Sequence, residues 1–254
     1  MKQPQAEKPN YGNWVSTRFI YGPGLVGLFF FGLAIRCPLF LLLAAFCFIL
    51  SLYFAYARYI FSPQGQNIQD RVQGLVLSNL DWSGEGMILD IGCGSGALTI
   101  ALAKKYAKAR IIGIDNWGRQ WGYSKEICEK NAMIEGVAER VTFQKASAAV
   151  IPFDDESMDV VVSNLVFHEV SGVKDKKDLI KEALRVVGKG GRFVFQDLFL
   201  WKRLYGEPFE LIEAIREWGV KEVELINTSE SAFLPVMLKL PFMVGTIGII
   251  VGEK

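Results

Sequence analysis

Three groups of residues in this 254-residue chain have types and spacing suited to chemistry. The first is Leu89-Asp90-Ile91-Gly92-Cys93-Gly94-Ser95-Gly96, where an acid and three alternating glycines join an apolar run from Met87 to the helix-forming stretch Ala97 to Lys105. Gly92, Gly94 and Gly96 can take positive φ and admit a ligand where a Cβ would exclude it, so a nucleotide-like molecule can lie against the turn. The second is Asp115, which ends the apolar stretch from Arg110 and stands about 20 residues downstream, where a Rossmann-like unit places an acid on ribose hydroxyls. An ionised carboxylate only accepts hydrogen bonds and can take both protons of a vicinal diol. The same position also suits a strand-end cap for the next helix. The third is His168, the only histidine, followed by Glu169, just after the apolar stretch Met158 to Asn164. Imidazole titrates near ~6.5 and can accept a proton from a hydroxyl or phenol, whereas a hydrogen-bonded structural histidine is the alternative.

These residues need a scaffold that brings strand ends together. Helical spacing of Ile68, Val72, Leu75, Val76 and Leu80 predicts an amphipathic helix over Gln64 to Leu80, packed beside the ligand. After the glycine turn come a helix (Ala97 to Lys105), a strand (Arg110 to Asp115), a helix (Ser124 to Glu135) and strands at Arg140 to Lys145 and Met158 to Asn164. A helix over Lys174 to Val187, a stop at Gly188 to Gly191 and a strand to Asp197 follow. Such alternation predicts a largely parallel sheet with helices on both faces, and puts the strand ends at one edge. Leu198 to Pro208 carries Phe199, Trp201 and Tyr205, suited either to a substrate lid or to core packing. A helix over Phe209 to Trp218 and strands at Lys221 to Asn227 and Gly245 to Val251 close the chain; apolar Leu234 to Pro241 reads as a membrane-touching loop or a plain connection.

The first 60 residues have a different composition. Residues 1–18 read as a polar tail, with Met1 to Asn13 its mobile part. From Phe19 to Ile60 the only charges are Arg36 and Arg58, and Arg36-Cys37-Pro38 divides the stretch. Leu39 to Tyr56 has no charge and meets the length of a membrane-spanning helix, while Phe19 to Ile35, with Pro23, is only marginally long enough. A two-pass α-helical transmembrane hairpin over 19–60 is the natural reading, with Tyr53, Tyr56, Tyr59 and Arg58 at an interface. A cleaved signal peptide fits poorly, because the apolar region far exceeds the usual ~7–15 residues. A re-entrant or interfacial pair and a buried oligomerising hairpin stay open. Lys2, Lys8 and Arg18 before the hairpin and Arg58 after it, against Arg36 in its turn, place both ends and the 61–254 domain in the cytoplasm.

Spacing separates the glycine turn from a dinucleotide fingerprint, since Gly-x-Gly-x-Gly is tighter than Gly-x-Gly-x-x-Gly. With Asp90 in front, it resembles motif I of the class I S-adenosylmethionine-dependent methyltransferases. Ile151-Pro152-Phe153-Asp154-Asp155-Glu156-Ser157-Met158-Asp159-Val160-Val161-Val162 and Arg185-Val186-Val187-Gly188-Lys189-Gly190-Gly191 resemble patterns of the small-molecule group, especially that of ubiquinone and menaquinone biosynthesis. The resemblance covers about residues 64 to 254, most specifically Leu89 to Gly191. It implies a Rossmann-like, doubly wound seven-stranded sheet with a terminal antiparallel hairpin, and S-adenosyl-L-methionine as cofactor. It further implies that Asp90 helps hold the cofactor's methionine end, that Asp115 and Asn116 take the ribose, and that Gly92, Cys93, Gly94 and Gly96 form the cradle. Trp117 would stack on adenine, Ser147 and Ala148 would stand beside its amino group, and Asn164 would line the methionine-side wall. The family usually has an acid where Ser147 stands; serine accepts one hydrogen bond without charge.

Composition excludes other classes. Residues 61–254 carry 23 basic against 26 acidic residues, without a basic run, which suits no nucleic-acid partner. No Asn/Asp-Pro-Pro-aromatic tetrapeptide follows Ser163, which counts against base and glutamine substrates. Cys37, Cys47, Cys93 and Cys128 form no Cys-x-x-Cys pair, and no metal-ligand set of familiar spacing is present. The reading is a membrane-anchored methyltransferase acting on a small, lipid-like acceptor, with a non-catalytic cofactor-binding scaffold and a nucleotide-dependent oxidoreductase as rivals. The acceptor and the oligomeric state are not specified.

Overall fold

The computed structural model describes residues 7–118 and 122–254. It forms two compact units: Asn13–Val72, and a second made of residues 7–12 together with Gln73–Lys254.

The larger unit is built on a seven-stranded sheet in the order β3-β2-β1-β4-β5-β7-β6. The strands are β1 (Glu85–Ile91), β2 (Lys108–Asp115), β3 (Val141–Lys145), β4 (Met158–Asn164), β5 (Val187–Asp197), β6 (Glu222–Asn227) and β7 (Gly248–Glu253). The first five are mutually parallel, and β7 runs antiparallel between β5 and β6. This is the Rossmann-like arrangement with its terminal antiparallel hairpin. The central strands are apolar at nearly every position because both sheet faces are covered. Alternation then sorts the side chains. Leu89, Ile91, Val161, Phe193 and Phe195 pack on one face with Leu179, Ile180 and Leu211 of α6 (Lys177–Arg185) and α8 (Pro208–Glu217). Ile88, Val160, Val162 and Val194 pack on the other with Leu98, Leu102 and Cys128 of α4 (Ala97–Lys105) and α5 (Lys125–Ile134). Asp90 shares the parity of Ile88, so its carboxyl points into the α4 layer.

Several boundaries differ from the sequence reading for identifiable reasons. The helix α3 (Ile68–Ser78) starts four residues later than Gln64, because residues 62–66 fold back on the preceding helix, with Gln66 N–H donating to Ile60 O at 3.2 Å. A Cβ on Gly65 would lie 2.1 Å from Tyr59 O, so this turn needs glycine. The Gly188–Gly191 stop lies inside β5 as a bulge: Val187 pairs with Met158, and Arg192 already pairs with Val160. The last strand starts at Gly248, because Gly245 instead closes a turn by donating to Leu240 O at 3.0 Å. The lid alternative for Leu198 to Pro208 gives way to core packing at Phe199 and Tyr205 of α7 (Lys202–Tyr205), both buried and edge-to-face at 5.0 Å.

The polar tail also departs from expectation. Instead of moving freely, residues 10–12 are held on the larger unit: Asn10 N–H donates to Asn131 Oδ1 at 2.8 Å, Asn131 Nδ2 donates to Asn10 O at 2.9 Å, and Tyr11 donates to Glu135 at 3.2 Å. Residues 7–12 therefore belong with the larger unit.

The smaller unit is a helical pair, α1 (Arg18–Leu33) and α2 (Phe40–Phe61). Small residues let the helices approach: a Cβ on Gly27 would meet the Phe48 ring at 2.9 Å, and Ser51 Oγ donates to Ile20 O at 2.7 Å. The 22 residues of α2, about 33 Å at helical rise, have the length and composition to cross a bilayer; the 16-residue α1, with Pro23 inside it, is shorter.

Candidate functional site

Sheet order arranges the candidate residues along one edge. Reading across the carboxyl ends of β3, β2, β1, β4 and β5 gives Ser147, Asp115, the glycine turn, Asn164 with His168, and Asp197.

The turn after β1 is held by its backbone. Gly92 and Cys93 N–H both donate to Ile114 O, at 2.7 and 3.0 Å, and Gly96 N–H donates to Cys93 O at 2.7 Å. Gly92, Gly94 and Gly96 have φ of 73°, 56° and 82°, left-handed values that glycine adopts without strain. A Cβ on Gly92 would fall 2.1 Å from Val166 Cγ2, whereas one on Gly94 would meet only the Tyr123 ring, at 3.5 Å. Gly94 is thus where the backbone is left open to a ligand. Cys93 is buried, and burial with a hydrogen bond to Cys128 raises its thiol pKa, so it packs the turn as a neutral group.

Asp115 ties the turn to β2. Its Oδ2 accepts Gly94 N–H at 2.9 Å and its Oδ1 accepts Trp117 N–H at 2.6 Å. The helix-cap alternative is thereby resolved: α5 is capped by Ser124 Oγ, which accepts Ile127 N–H at 3.3 Å, and Asp115 organises the glycine turn. Each carboxylate oxygen retains a second lone pair, enough for a diol. Asn116 is exposed beside it. Trp117 sits at φ +43° with its indole N–H on Gly94 O at 2.9 Å, so its ring is fixed against the turn. Ala146 N–H donates to the main-chain Asp115 O at 3.0 Å, so exposed Ser147 and buried Ala148 follow β3 at the edge where β2 ends; Ser147 Oγ accepts Ala149 N–H at 3.2 Å.

Asp90 lies behind the turn. It is 1% exposed and accepts Thr99 Oγ1–H of α4 at 2.6 Å. Burial pushes its pKa up to about 7; the Thr99 bond opposes this and Asp115 reinforces it.

At the far end of the edge stands a His–Asp pair that the sequence showed only in part. His168 Nδ1 and Asp197 Oδ1 are 2.8 Å apart, and Asp197 Oδ1 also accepts Leu198 N–H at 2.7 Å. Glu169 Oε1 lies 3.7 Å from His168 Nε2. Burial alone would lower the His168 pKa, but Asp197, then Glu169, outweigh it and the net shift is upward. Burial likewise pushes Asp197 up, and His168 more than reverses that, holding the carboxyl below its usual range. Tyr205 completes the setting: its buried phenol beside Asp197 has a raised pKa, from burial first and that carboxylate second. Asn164 is positioned by Gln196, whose Nε2 donates to its Oδ1 at 2.6 Å. Asp197 carried the signal that singled out Asp115, an acid ending an apolar strand, but its partner is 29 residues away and no local spacing links them.

Two further motifs form one clamp. Arg185 donates to Ile151 O at 2.9 Å, to Phe153 O at 2.8 Å and to Asp155 Oδ1 at 2.7 Å, while Glu182 holds its Nε at 2.9 Å. The Ile-Pro-Phe-Asp-Asp stretch and the Arg before the glycines are therefore matched structurally, with no reacting group between them. Among the described residues, no group of three or more His, Cys, Asp or Glu is placed to hold a metal.

Residues 89–195 match the family model described as a methyltransferase domain. Over these residues the chain is similar to S-adenosylmethionine-dependent methyltransferase domains. The chain is 30% identical over 124 residues to an uncharacterized methyltransferase, YcgJ, of Bacillus subtilis, covering 49% of this chain and 45% of that one. It is 31% identical over 143 residues to 27-O-demethylrifamycin SV methyltransferase of Amycolatopsis mediterranei, covering 56% and 49%. The chain thus spans about half the length of the curated relatives it matches. In fold it is similar to geranyl diphosphate C-methyltransferase from Streptomyces coelicolor, solved with Mg2+, geranyl diphosphate and S-adenosyl-L-homocysteine, at a TM-score of 0.58, 14% identity, and 75% and 80% coverage. The cradle suits the cofactor of this domain: an open glycine backbone at Gly94 stands beside a carboxylate with lone pairs to spare.

Proposed function

We propose that the whole protein is a membrane-anchored methyltransferase acting on a small, lipophilic acceptor, with the catalytic domain and both ends of the helical hairpin on the cytoplasmic side. The observation that carries the reading is the shared edge, where a backbone cradle over β1 and β2 adjoins a His–Asp pair over β4 and β5. Bound S-adenosylmethionine supplies a methyl group made electrophilic by its sulfonium, so the protein's tasks are alignment, exclusion of water and handling of one proton. Asp115 takes the ribose hydroxyls, with Asn116 beside it. Gly92, Cys93, Gly94 and Gly96 shape the cradle, Trp117 walls it, Ser147 and Ala148 border the base, and Asn164 borders the methionine end. Asp90 acts on that end by charge. His168 holds Nδ1–H toward Asp197, which leaves Nε2 to take a proton from an acceptor hydroxyl as it is methylated.

The anchor supports a lipophilic acceptor, because a two-pass hairpin keeps the domain where such a molecule resides. Length and composition favour a span for α2, while the shorter α1 pairs closely with it through Gly24, Gly27 and Ser51. The resemblance to the quinone-biosynthesis group points the same way. Incubating the full chain with membrane extract and methyl-labelled cofactor tests the reading. Label is expected in a solvent-extractable small molecule. Label in protein or RNA would overturn the acceptor class, and cofactor binding with no labelled product would favour a non-catalytic scaffold. Recovery of the full chain in the soluble fraction without detergent would remove the anchor.

A further inference from the structure

The connection between β6 and β7, residues 228–247, has an organisation that the methyl-transfer chemistry does not use. It is ordered: Leu238 N–H donates to Pro235 O at 2.9 Å, Gly245 N–H to Leu240 O at 3.0 Å, and Thr246 Oγ1 to Pro241 O at 2.6 Å. Leu234, Leu238, Val244 and Ile247 are buried and fasten it to the domain. A second apolar set points outward: Val236 is 84% exposed, Phe242 54% and Leu240 36%, with Pro241 between the last two. Once the inner set has satisfied packing, folding gives no reason for the outer set, and clustered apolar side chains in water mark a contact surface.

Position and charge indicate what covers it. Gly248 pairs with both Asp197 and Asn227, and Leu200 N–H donates to Thr246 O at 3.0 Å, so the connection rises from the edge that carries His168 and Asp197. The connection carries Lys239 within the ridge and one acid, exposed Glu230, at its start before the ridge. On the adjoining α7, Lys202 and Arg203 are exposed, Lys202 pairing with Glu207 at 2.8 Å. An apolar ridge that carries Lys239 and has Arg203 on the adjoining helix complements an anionic bilayer, whose headgroups attract Lys and Arg while its acyl boundary takes the apolar tips.

We propose that this connection docks the acceptor edge onto an anionic lipid surface, so that a lipid-borne acceptor reaches His168 without crossing water. The inference rests on the membrane-anchored reading and adds the face presented to the bilayer. Depth-dependent quenching tests it with the full chain reconstituted in phosphatidylcholine–phosphatidylglycerol vesicles containing a lipid spin-labelled near the headgroup. Phe242→Trp and, separately, Val236→Trp are compared with wild type. Met133→Trp, at an exposed apolar position toward the far end of α5, is the reference. The added fluorescence at 242 and 236 should shift to the blue and fall by roughly half with labelled lipid, while that at 133 should not change. Equal quenching at 242, 236 and 133 in protein that floats with the vesicles overturns the docking surface and leaves the anchor intact. A chain that does not float at all overturns the anchored reading and this inference together. A blue shift that disappears on dilution into excess lipid assigns the ridge to a second copy of the chain and also overturns the proposal.

Discussion

The two halves of the carboxyl edge are built by different means. Over β1 and β2 the site is mostly backbone: glycines at positive φ, peptide N–H groups on Ile114 O, and one carboxylate engaged by two more peptide N–H groups. Over β4 and β5 it is side chain: an imidazole, a buried carboxylate and a phenol drawn from three separate elements. A backbone cradle fits one invariant ligand, since its shape does not depend on rotamers. A side-chain pair can be retuned by single substitutions while the sheet stays the same, which suits the half that we propose meets the acceptor. Substitutions in the two halves should therefore fail in different ways.

The largest effect is expected at Gly94. Gly94→Val strains a left-handed residue and puts a side chain where the cofactor must lie, yet a Cβ there has room beside Tyr123, so the fold should survive. Calorimetric titration with S-adenosylhomocysteine should show affinity reduced at least ~100-fold, with a cooperative melt retained. Retained affinity would show that the cradle is not the binding half. His168→Ala comes next, with turnover down roughly 10²-fold and cofactor affinity unchanged, as expected for a lost general base. In the wild type, turnover should fall with acid through a midpoint above the ordinary ~6.5, because Asp197 and Glu169 raise the imidazole pKa and the base works only when neutral. Asp197→Asn should move that midpoint down; an unmoved limb would detach the carboxylate from the proton transfer.

Smaller effects bear on the support rather than the site. Arg185→Ala leaves two carbonyls and two carboxylates without their donor and should lower stability by about 2 kcal/mol, seen as a lower melting temperature at unchanged cofactor affinity. The smallest concerns Asp90. With its pKa at about 7 in the cofactor-free protein, it is increasingly ionised above that pH, and the cationic cofactor favours the ionised form. Affinity for S-adenosylmethionine should therefore rise severalfold as pH increases from about 6 to about 8. The rise should be weaker for S-adenosylhomocysteine, which lacks the sulfonium, and absent in Asp90→Asn; a flat wild-type profile would place Asp90 outside the cofactor's field.

Legibility in the sequence followed the same division. The cradle was readable because glycine spacing and an acid at a fixed offset are local, and the alternation of strands and helices predicted a parallel sheet whose strand ends share one edge; the strand order that brings Asp115 beside the turn came from the structure. Asp90 was found, but not where its side chain goes: strand parity turns it toward Thr99, which only the register with α4 reveals. Asp197 and Tyr205 were passed over as a strand end and an aromatic in a supposed lid, since their meaning depends on His168 being across the sheet edge. Asn131 gave no signal at all. It reads as an ordinary helix residue, and it becomes a clamp only when Ser95 O and the Asn10 backbone converge on its side chain.

That clamp has a consequence for the order of assembly. Residues 7–12 leave the ribosome ahead of α1 and α2, but Asn131, on which they settle, follows Asn10 by 121 positions. Through the intervening synthesis the segment has nowhere to dock, and both apolar helices are already available to a membrane. The larger unit can close its first and later parts together only once Asn131 has been made, after both helices of the hairpin. The cofactor turn, where Ser95 Oγ donates to Tyr11 O at 3.0 Å, is thereby completed late in synthesis. It also follows that cutting the chain at residue 60 would not simply release a soluble enzyme, because the fragment would lack the segment that closes over its own cofactor turn.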